Sequence, residues 1–275
     1  MIKDILLVID NATRADPIIA AALAMAERKA AVLTVEVLTT GQLLVPALAP
    51  LTEMYAPEWE MAGDEAARIE AVAKKVAHSP CTVRVLGLHD DMSGVARRAG
   101  KSGPIADIVI MGDAASWETD WLRRHAAKSV IMGGGTPLII ASGQTPLAPA
   151  QHAVMGWKDS PEARRALHDL VPLVEPGGRI SVVAVAQNQA EIDAATGSVG
   201  EVARHFVRHG FAAEAHQLLA GVESDAHALE GFALRHGADL LALGAFGHLR
   251  LRDVILGGVT QAMIDRPPLP LLLSR

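Results

Sequence analysis

The stretch ADLLALG, residues 238–244, decides the fold because the chain contains it twice: residues 106–112 read ADIVIMG. A second pair follows, with PLII at 137–140 and PLLL at 270–273. The first pair is about 132 residues apart and the second about 133, so the two offsets agree. The sequence therefore predicts two copies of one structural unit.

The borders of the two copies follow from a third pair, ILLVID at 5–10 and AVMGWK at 153–158, which lie about 148 residues apart. The larger offset means that copy one carries roughly sixteen extra residues. We assign this insertion to the proline-rich segment 43–60 and the linker to 141–151. The predicted domains are residues 1–143 and 151–275.

Each copy alternates short apolar runs with segments of helical periodicity. In copy one the runs are DILLVID, AVLTVEVLT, TVRVLGL, ADIVIMG and TPLIIAS, and copy two repeats this order from HAVMGWK to PLPLLLSR. Continuous apolar runs are typical of strands buried on both faces. The pattern predicts an α/β fold of two tandem domains, each an open five-stranded parallel sheet with helices on both faces.

Composition narrows the class of function. Net charge is -6 without a long basic run, and aromatic residues make up only 3%, so we expect no nucleic-acid binding. One cysteine excludes an intramolecular disulfide. The first apolar run ends at Asp10, too soon for a signal peptide or a spanning helix. We expect a cytoplasmic protein that does not bind membranes.

Ligands of open parallel sheets bind at the carboxyl ends of the strands, which directs attention to the loops there. After the ADLLALG strand, Gly244 lets a ligand approach the backbone and permits a positive φ. Farther on, a glycine pair stands where a helix begins, and helix starts attract anions. The loop contains three basic side chains, His248, Arg250 and Arg252, and the glycine pair is followed by Thr260.

The spacing Gly244-x2-Gly247-x9-Gly257 resembles the nucleotide motif of the universal stress proteins, G-x2-G-x9-G-(S/T). GWKDSPEARRAL near the start of copy two is also similar to this family, and the resemblance covers both copies. It implies a stress-response role and a fold in which some members bind ATP or AMP and others bind nothing. If ATP is the ligand, Mg²⁺ can accompany it. The resemblance also implies that the two domains pair through their last strands; a further homodimer and a protein partner stay open.

The resemblance and the residues together define a candidate nucleotide site in copy two. The motif residues would hold ribose and phosphates, and the end of the first strand and Val185 would line the adenosine. The candidates are Gly244, Gly247, His248, Gly257, Gly258, Val259, Thr260, Trp157, Lys158, Asp159 and Val185. We assign no catalytic residue and no protein-bound metal.

This sequence departs from the family pattern at two places in copy two. Gly258 stands where the family has Ser or Thr. The family often has Val-Asp-Gly-Ser after the first strand, and here Lys158 takes the Asp position and Asp159 the Gly position. The first departure removes a hydroxyl, although Gly258 adds a flexible N–H and Thr260 lies two residues on. In the second, the ammonium of Lys158 suits a phosphate, and the expected adenosine contact is weakened.

Copy one departs further, and we interpret it as a degenerate domain with a structural or partner role. Asp10 matches the family Asp, but Ala115 replaces the second glycine and acidic residues fill the following loop. The segment 133–136, Gly-Gly-Gly-Thr, is interpreted as a remnant of the distal glycines.

Three hypotheses follow. The first is a tandem universal stress protein that binds ATP or AMP in copy two as a regulatory ligand, with at most weak ATPase activity. The second is a nucleotide-free scaffold that acts through protein contacts. The third is a slow nucleotide hydrolase or transferase using Lys158, Asp159 or His248. A nucleotide titration with a turnover assay separates them.

Overall fold

A computed structural model describes residues 1–40, 58–101, 105–143, 147–220, 224–245 and 258–275, with backbone alone at 58–64, 134 and 258. The chain divides into two compact units. The first unit is Ile2–Gly134, and the second unit is Gly135–Arg275, with which Met1 is grouped.

Among its described residues the first unit contains four strands in the order β3-β2-β1-β4, and each strand is parallel to its neighbour in this order. The strands are β1 Asp4–Ile9, β2 Val32–Thr40, β3 Val83–Asp90 and β4 Ile108–Met111. The helices are α1 Asp16–Lys29, α2 Glu58–Val76, α3 Met92–Arg98 and α4 Asp120–Gly134.

The described part of the second unit contains six strands in the order β5-β10-β9-β6-β7-β8. The strands are β5 Leu138–Ile140, β6 Ala150–Gly156, β7 Val174–Ala186, β8 Ala212–Leu219, β9 Leu240–Gly244 and β10 Leu271–Ser274. The helices are α5 Pro161–Leu170, α6 Gln189–Arg208, α7 Asp225–Arg235 and α8 Gly258–Asp265. From β10 to β8 the strands are parallel, which gives the predicted five-stranded parallel sheet.

The central strands are buried on both faces, as their continuous apolar sequences predict. All residues of β1 after Asp4 are buried, and so are all residues of β4 and β10. Helices cover both faces of such strands, so side chains that point in opposite directions both leave the solvent. The α/β fold class predicted from the sequence is confirmed.

The last strands of the two copies pair with each other. β5 runs antiparallel to β10, with Leu138 opposite Leu273 and Ile140 opposite Leu271. This is the internal pairing that the family resemblance implied, and it satisfies backbone groups that would otherwise form an open sheet edge. Because β5 contacts β10, it belongs to the second unit, and the division at Gly134 lies before the predicted linker at 141–151.

Two details of the first copy differ from the sequence interpretation. Helix α4 was not predicted, although Leu122, Ala126 and Val130 form its buried stripe. The segment 133–136 is not the start of a helix: Gly133 and Gly134 end α4, and Gly135 follows with a φ of 64°. Left-handed glycine after a helix is a common termination.

Two helices begin earlier than their sequence patterns indicated. Helix α2 begins at Glu58, inside the segment assigned to the insertion, whose other residues 43–57 lie outside the described part of the chain. Helix α6 begins at Gln189 with Asn188 as its N-cap, about nine residues before SVGEVARHFVRHG, the segment 198–210 for which the sequence predicts a helix. Among the described helices, none has an apolar stretch long enough to cross a membrane.

Candidate nucleotide site

The second unit contains a cavity of about 760 Å³ at the carboxyl ends of β6, β7 and β9. Its volume lies within the range of small-molecule pockets. The position follows the general rule for open parallel sheets, because β6 lies between β9 and β7 and the strand order reverses there. This is the edge of the sheet at which the sequence predicted a site.

The structure brings most of the predicted residues of copy two to this one cavity. The predicted residues that line it are Trp157, Lys158, Asp159, Val185, Gly244, Val259 and Thr260. Gly247, His248 and Gly257 lie outside the described residues, as do Arg250 and Arg252. Gly258 is the first residue of α8.

The end of β6 forms one wall. The backbone N–H of Trp157 donates to the carbonyl of Val183 at 2.7 Å, which holds this residue against the end of β7. Its indole Nε1 donates to Ser198 Oγ on α6 at 3.2 Å. Trp157 is therefore a buried, oriented aromatic side chain that borders the cavity.

The next three residues turn the chain into α5. Ser160 is the N-cap of this helix, its Oγ accepting a hydrogen bond from the backbone N–H of Ala163 at 3.2 Å, and Pro161 follows at the first helical position. Lys158 is exposed. The carboxylate of Asp159 pairs with the guanidinium of Arg164, so a cation of the same unit already balances its charge.

The start of α8 forms another wall. Gly258, Val259 and Thr260 are its first three residues, and the backbone N–H groups of a first helical turn have no acceptor within the helix. Thr260 is buried, and it lines the cavity together with half-buried Val259. N–H groups without an acceptor in their own helix, the helix dipole and a hydroxyl favour an anion at this wall.

Gly244 has a structural explanation that the sequence analysis missed. It is not among the residues with positive φ, so the left-handed conformation that a glycine permits is not used here. A Cβ at Gly244 would lie 2.4 Å from the backbone nitrogen of Ala163 and 2.9 Å from its Cα. The glycine therefore permits the close packing of β9 on the first turn of α5, even without any ligand.

Sequence reasoning also missed the walls formed by α6 and α7. Helix α6 contributes Glu191, Ala194, Ala195 and Ser198, and α7 contributes Asp225 and Leu229. The spacing of the four α6 residues places them on one helix face. A signal was present, because Asn188 followed three residues later by Glu191 is typical of a helix start.

The corresponding strand end in the first unit, after β1, is filled by the chain itself. The carboxylate of Asp10 is buried and accepts hydrogen bonds from the backbone N–H groups of Glu118 and Thr119, at 3.0 Å and 3.4 Å to Oδ2. Arg68 on α2 donates to the carbonyl of Asp10 at 2.8 Å and pairs with Glu118 at 3.2 Å. Asn11 Nδ2 donates to the same Glu118 carboxylate.

Burial raises the pKa of the Asp10 carboxyl to about 6. The two backbone hydrogen bonds oppose this shift, and the negative charge of Glu118 adds to it. The loop between β4 and α4 folds tightly here: a Cβ at Gly112 would lie 1.9 Å from Ser116 Oγ, and Trp117 is only 1% exposed. The buried carboxylate of Asp10 thus accepts the hydrogen bonds of the backbone N–H groups that directly precede α4.

No protein-family model matches the chain, and no curated protein matches it. Solved structures do match. A universal stress protein from Archaeoglobus fulgidus superposes with a TM-score of 0.71 over 99% of this chain and 96% of that one, at 16% identity. A protein of unknown function from Pseudomonas aeruginosa gives 0.60 over 99% and 92%, at 13% identity. The chain has the universal stress protein fold in a tandem, two-unit form.

Proposed function

We propose that the second unit binds an adenine nucleotide, ATP or AMP, in the cavity at the ends of β6, β7 and β9. The observation that carries this proposal is the coincidence of one cavity with seven residues chosen from the sequence for nucleotide binding. The binding unit would act as a regulatory module of a cytoplasmic stress-response protein.

The chemistry of the walls suits the two ends of a nucleotide. The start of α8 and the hydroxyl of Thr260 would receive phosphate oxygens, and the exposed ammonium of Lys158 would add a positive charge. Trp157, Val185 and the alanines of α6 offer apolar surface to a base and a sugar. Mg²⁺ would enter with ATP, because this ion binds to the phosphates of such ligands.

Calorimetric titration with AMP and with Mg-ATP tests the proposal on the nucleotide-stripped protein. We expect one site per chain. Ala195 is half-buried on the cavity wall, so Ala195→Phe should fill the space and weaken binding at least about 100-fold, a loss of roughly 3 kcal/mol. Phosphate release, measured on the same samples, should be slow or absent.

Ala190→Phe is the matched control, because Ala190 is exposed on the same helix and does not line the cavity. It should bind like the unsubstituted protein. Equal affinity of both phenylalanine variants would place any bound nucleotide elsewhere. If neither nucleotide produces heat, the scaffold hypothesis is favoured. Rapid release of phosphate would favour the hydrolase hypothesis.

A further inference from the structure

Two carboxylates stand on the wall that α6 and α7 contribute to the cavity. Glu191 lies in the first turn of α6, and Asp225 is the first residue of α7. They differ from a third acidic residue of the cavity, Asp159 between β6 and α5, which is paired with an arginine. The hydrogen bonds that hold Glu191 and Asp225 come from neutral groups.

Gln187, directly after β7, joins these two carboxylates. Its backbone N–H donates to Glu191 Oε2 at 2.9 Å, and its side-chain Nε2 donates to Asp225 Oδ1. Asn188 donates to Glu191 Oε1 at 3.0 Å and accepts from the backbone N–H of the same residue. Glu191 therefore uses both oxygens in capping α6, whereas within the described residues Asp225 is bonded through Oδ1.

An ionised carboxylate only accepts hydrogen bonds, so Asp225 can receive a donor from a ligand and repels a phosphate. A nucleotide offers two uncharged donor groups, the ribose hydroxyls and an exocyclic amine of the base. Acidic residues take ribose hydroxyls in other open parallel sheets. The phosphates would then lie at the walls that offer hydrogen-bond donors and a positive charge, beside Thr260 and Lys158.

We infer that Asp225 is a specificity-determining residue, which accepts a hydrogen bond from an uncharged donor of the nucleotide, with Gln187 as its positioning residue. This inference rests on the proposed nucleotide site. It adds which part of the ligand would contact the carboxylate of Asp225. The donor is a ribose hydroxyl or the exocyclic amine, and two analogues of AMP distinguish these sources.

The experiment measures the affinities of AMP, inosine monophosphate and 2′,3′-dideoxy-AMP by calorimetry. The first analogue replaces the amine with a carbonyl oxygen, and the second lacks both hydroxyls. In the unsubstituted protein one analogue should bind about 10-fold or more weakly than AMP, because hydrogen bonds to charged groups are strong. In Asp225→Asn that ratio should fall below about 3-fold, since the asparagine oxygen keeps the bond from Gln187 and the ligand then meets an uncharged NH2 in place of a charged acceptor.

Asp193→Asn is the matched control, because exposed Asp193 also accepts from a glutamine, Gln189 at 2.9 Å, but lies outside the cavity. It should keep the ratio of the unsubstituted protein. Gln187→Met should lower the ratio of AMP affinity to analogue affinity although Asp225 is intact. If Gln187 only stabilised the fold, this ratio would not change.

AMP binding with the same ratio in Asp225→Asn as in Asp193→Asn would overturn this inference and leave the proposed function standing. An equal affinity for AMP and both analogues in the unsubstituted protein would overturn it as well. Absence of AMP binding would overturn the proposed function and the inference together.

Discussion

The ends of β1 and β6 correspond in the two copies, and the residues after them differ in charge and surroundings. After β1 the buried carboxylate of Asp10 accepts hydrogen bonds from the backbone just before α4. After β6 the matching residue, Lys158, is exposed beside a cavity bordered by the start of α8. In the first copy a carboxylate of the chain itself accepts the hydrogen bonds of these backbone groups. In the second copy the cavity has room for the anionic group of a ligand.

Packing within each unit explains the glycine at the end of the fourth strand of each copy, without any ligand. Gly112 and Gly244 end corresponding strands, and in both cases a Cβ would collide with atoms of the same unit. Neither glycine needs a nucleotide as its explanation. The described difference between the copies therefore lies in the residues that follow β1 and β6, and not in these two glycines.

The largest expected effect is on the packing of β9. Gly244→Ala should lower the free energy of unfolding of the second unit by about 3 kcal/mol, because the new Cβ meets the backbone of α5 rather than a movable side chain. Urea denaturation followed by circular dichroism measures this change.

Gly197→Ala in α6 is the control for that substitution. Its Cβ would meet nothing within 4 Å, and alanine favours a helix, so this variant should gain about 1 kcal/mol. Equal stability of the Gly244→Ala protein and the unsubstituted protein would show that Gly244 is not needed for packing, and would return it to the ligand site.

The next effect concerns Asp10. Its pKa of about 6 lies above that of an unfolded aspartate, so the folded first unit binds an extra proton between about pH 4 and pH 6. The contribution of Asp10 to the free energy of unfolding is therefore greatest below pH 4. It falls by about 3 kcal/mol as the pH rises through pH 6.

Carbon-detected NMR of the Asp10 carboxyl measures this pKa directly. As the pH rises across the same interval, the unsubstituted protein should lose stability relative to Asp10→Asn. A titration midpoint near 4 would mean that the hydrogen bonds from Glu118 and Thr119 outweigh burial, and the first copy would then hold the Asp10 carboxylate at little cost.

A smaller effect is expected at the cap of α5. Ser160→Ala should lower the free energy of unfolding by about 1 kcal/mol, since Ser160 caps this helix, whereas Ser160→Asp should preserve the cap. The corresponding helix of the first unit, α1, has no side-chain cap. Thermal unfolding gives the stability, and a large loss of nucleotide affinity in Ser160→Asp would assign Ser160 to the ligand as well.

The sequence predicted the strands well because their residues report burial directly. Continuous apolar runs such as Leu6 to Ile9 are possible only where both faces are covered. Helix α4 was harder to predict, since Arg123 interrupts its apolar pattern. That arginine is only 1% exposed in the structure, and it pairs with Asp120 at 2.7 Å.

The candidate site was predicted where it follows strand ends and missed where it depends on tertiary packing. Trp157, Lys158 and Val185 lie at strand ends, and the rule for parallel sheets found them. Ala195 and Asp225 reach the same cavity through the placement of whole helices. No local pattern distinguishes an alanine that lines a cavity from one that packs in a core.

The most direct test of the central claim, that the second unit binds nucleotide and the first does not, is NMR of the tryptophan indole N–H groups during titration with AMP. Trp157 borders the cavity, and Trp117 is buried in the loop that fills the first unit's strand end. Single Trp→Phe variants assign the signals. We predict a saturable shift of the Trp157 signal with the Trp117 signal unchanged. A shift of Trp117, or AMP binding that leaves Trp157 unmoved, would contradict the account.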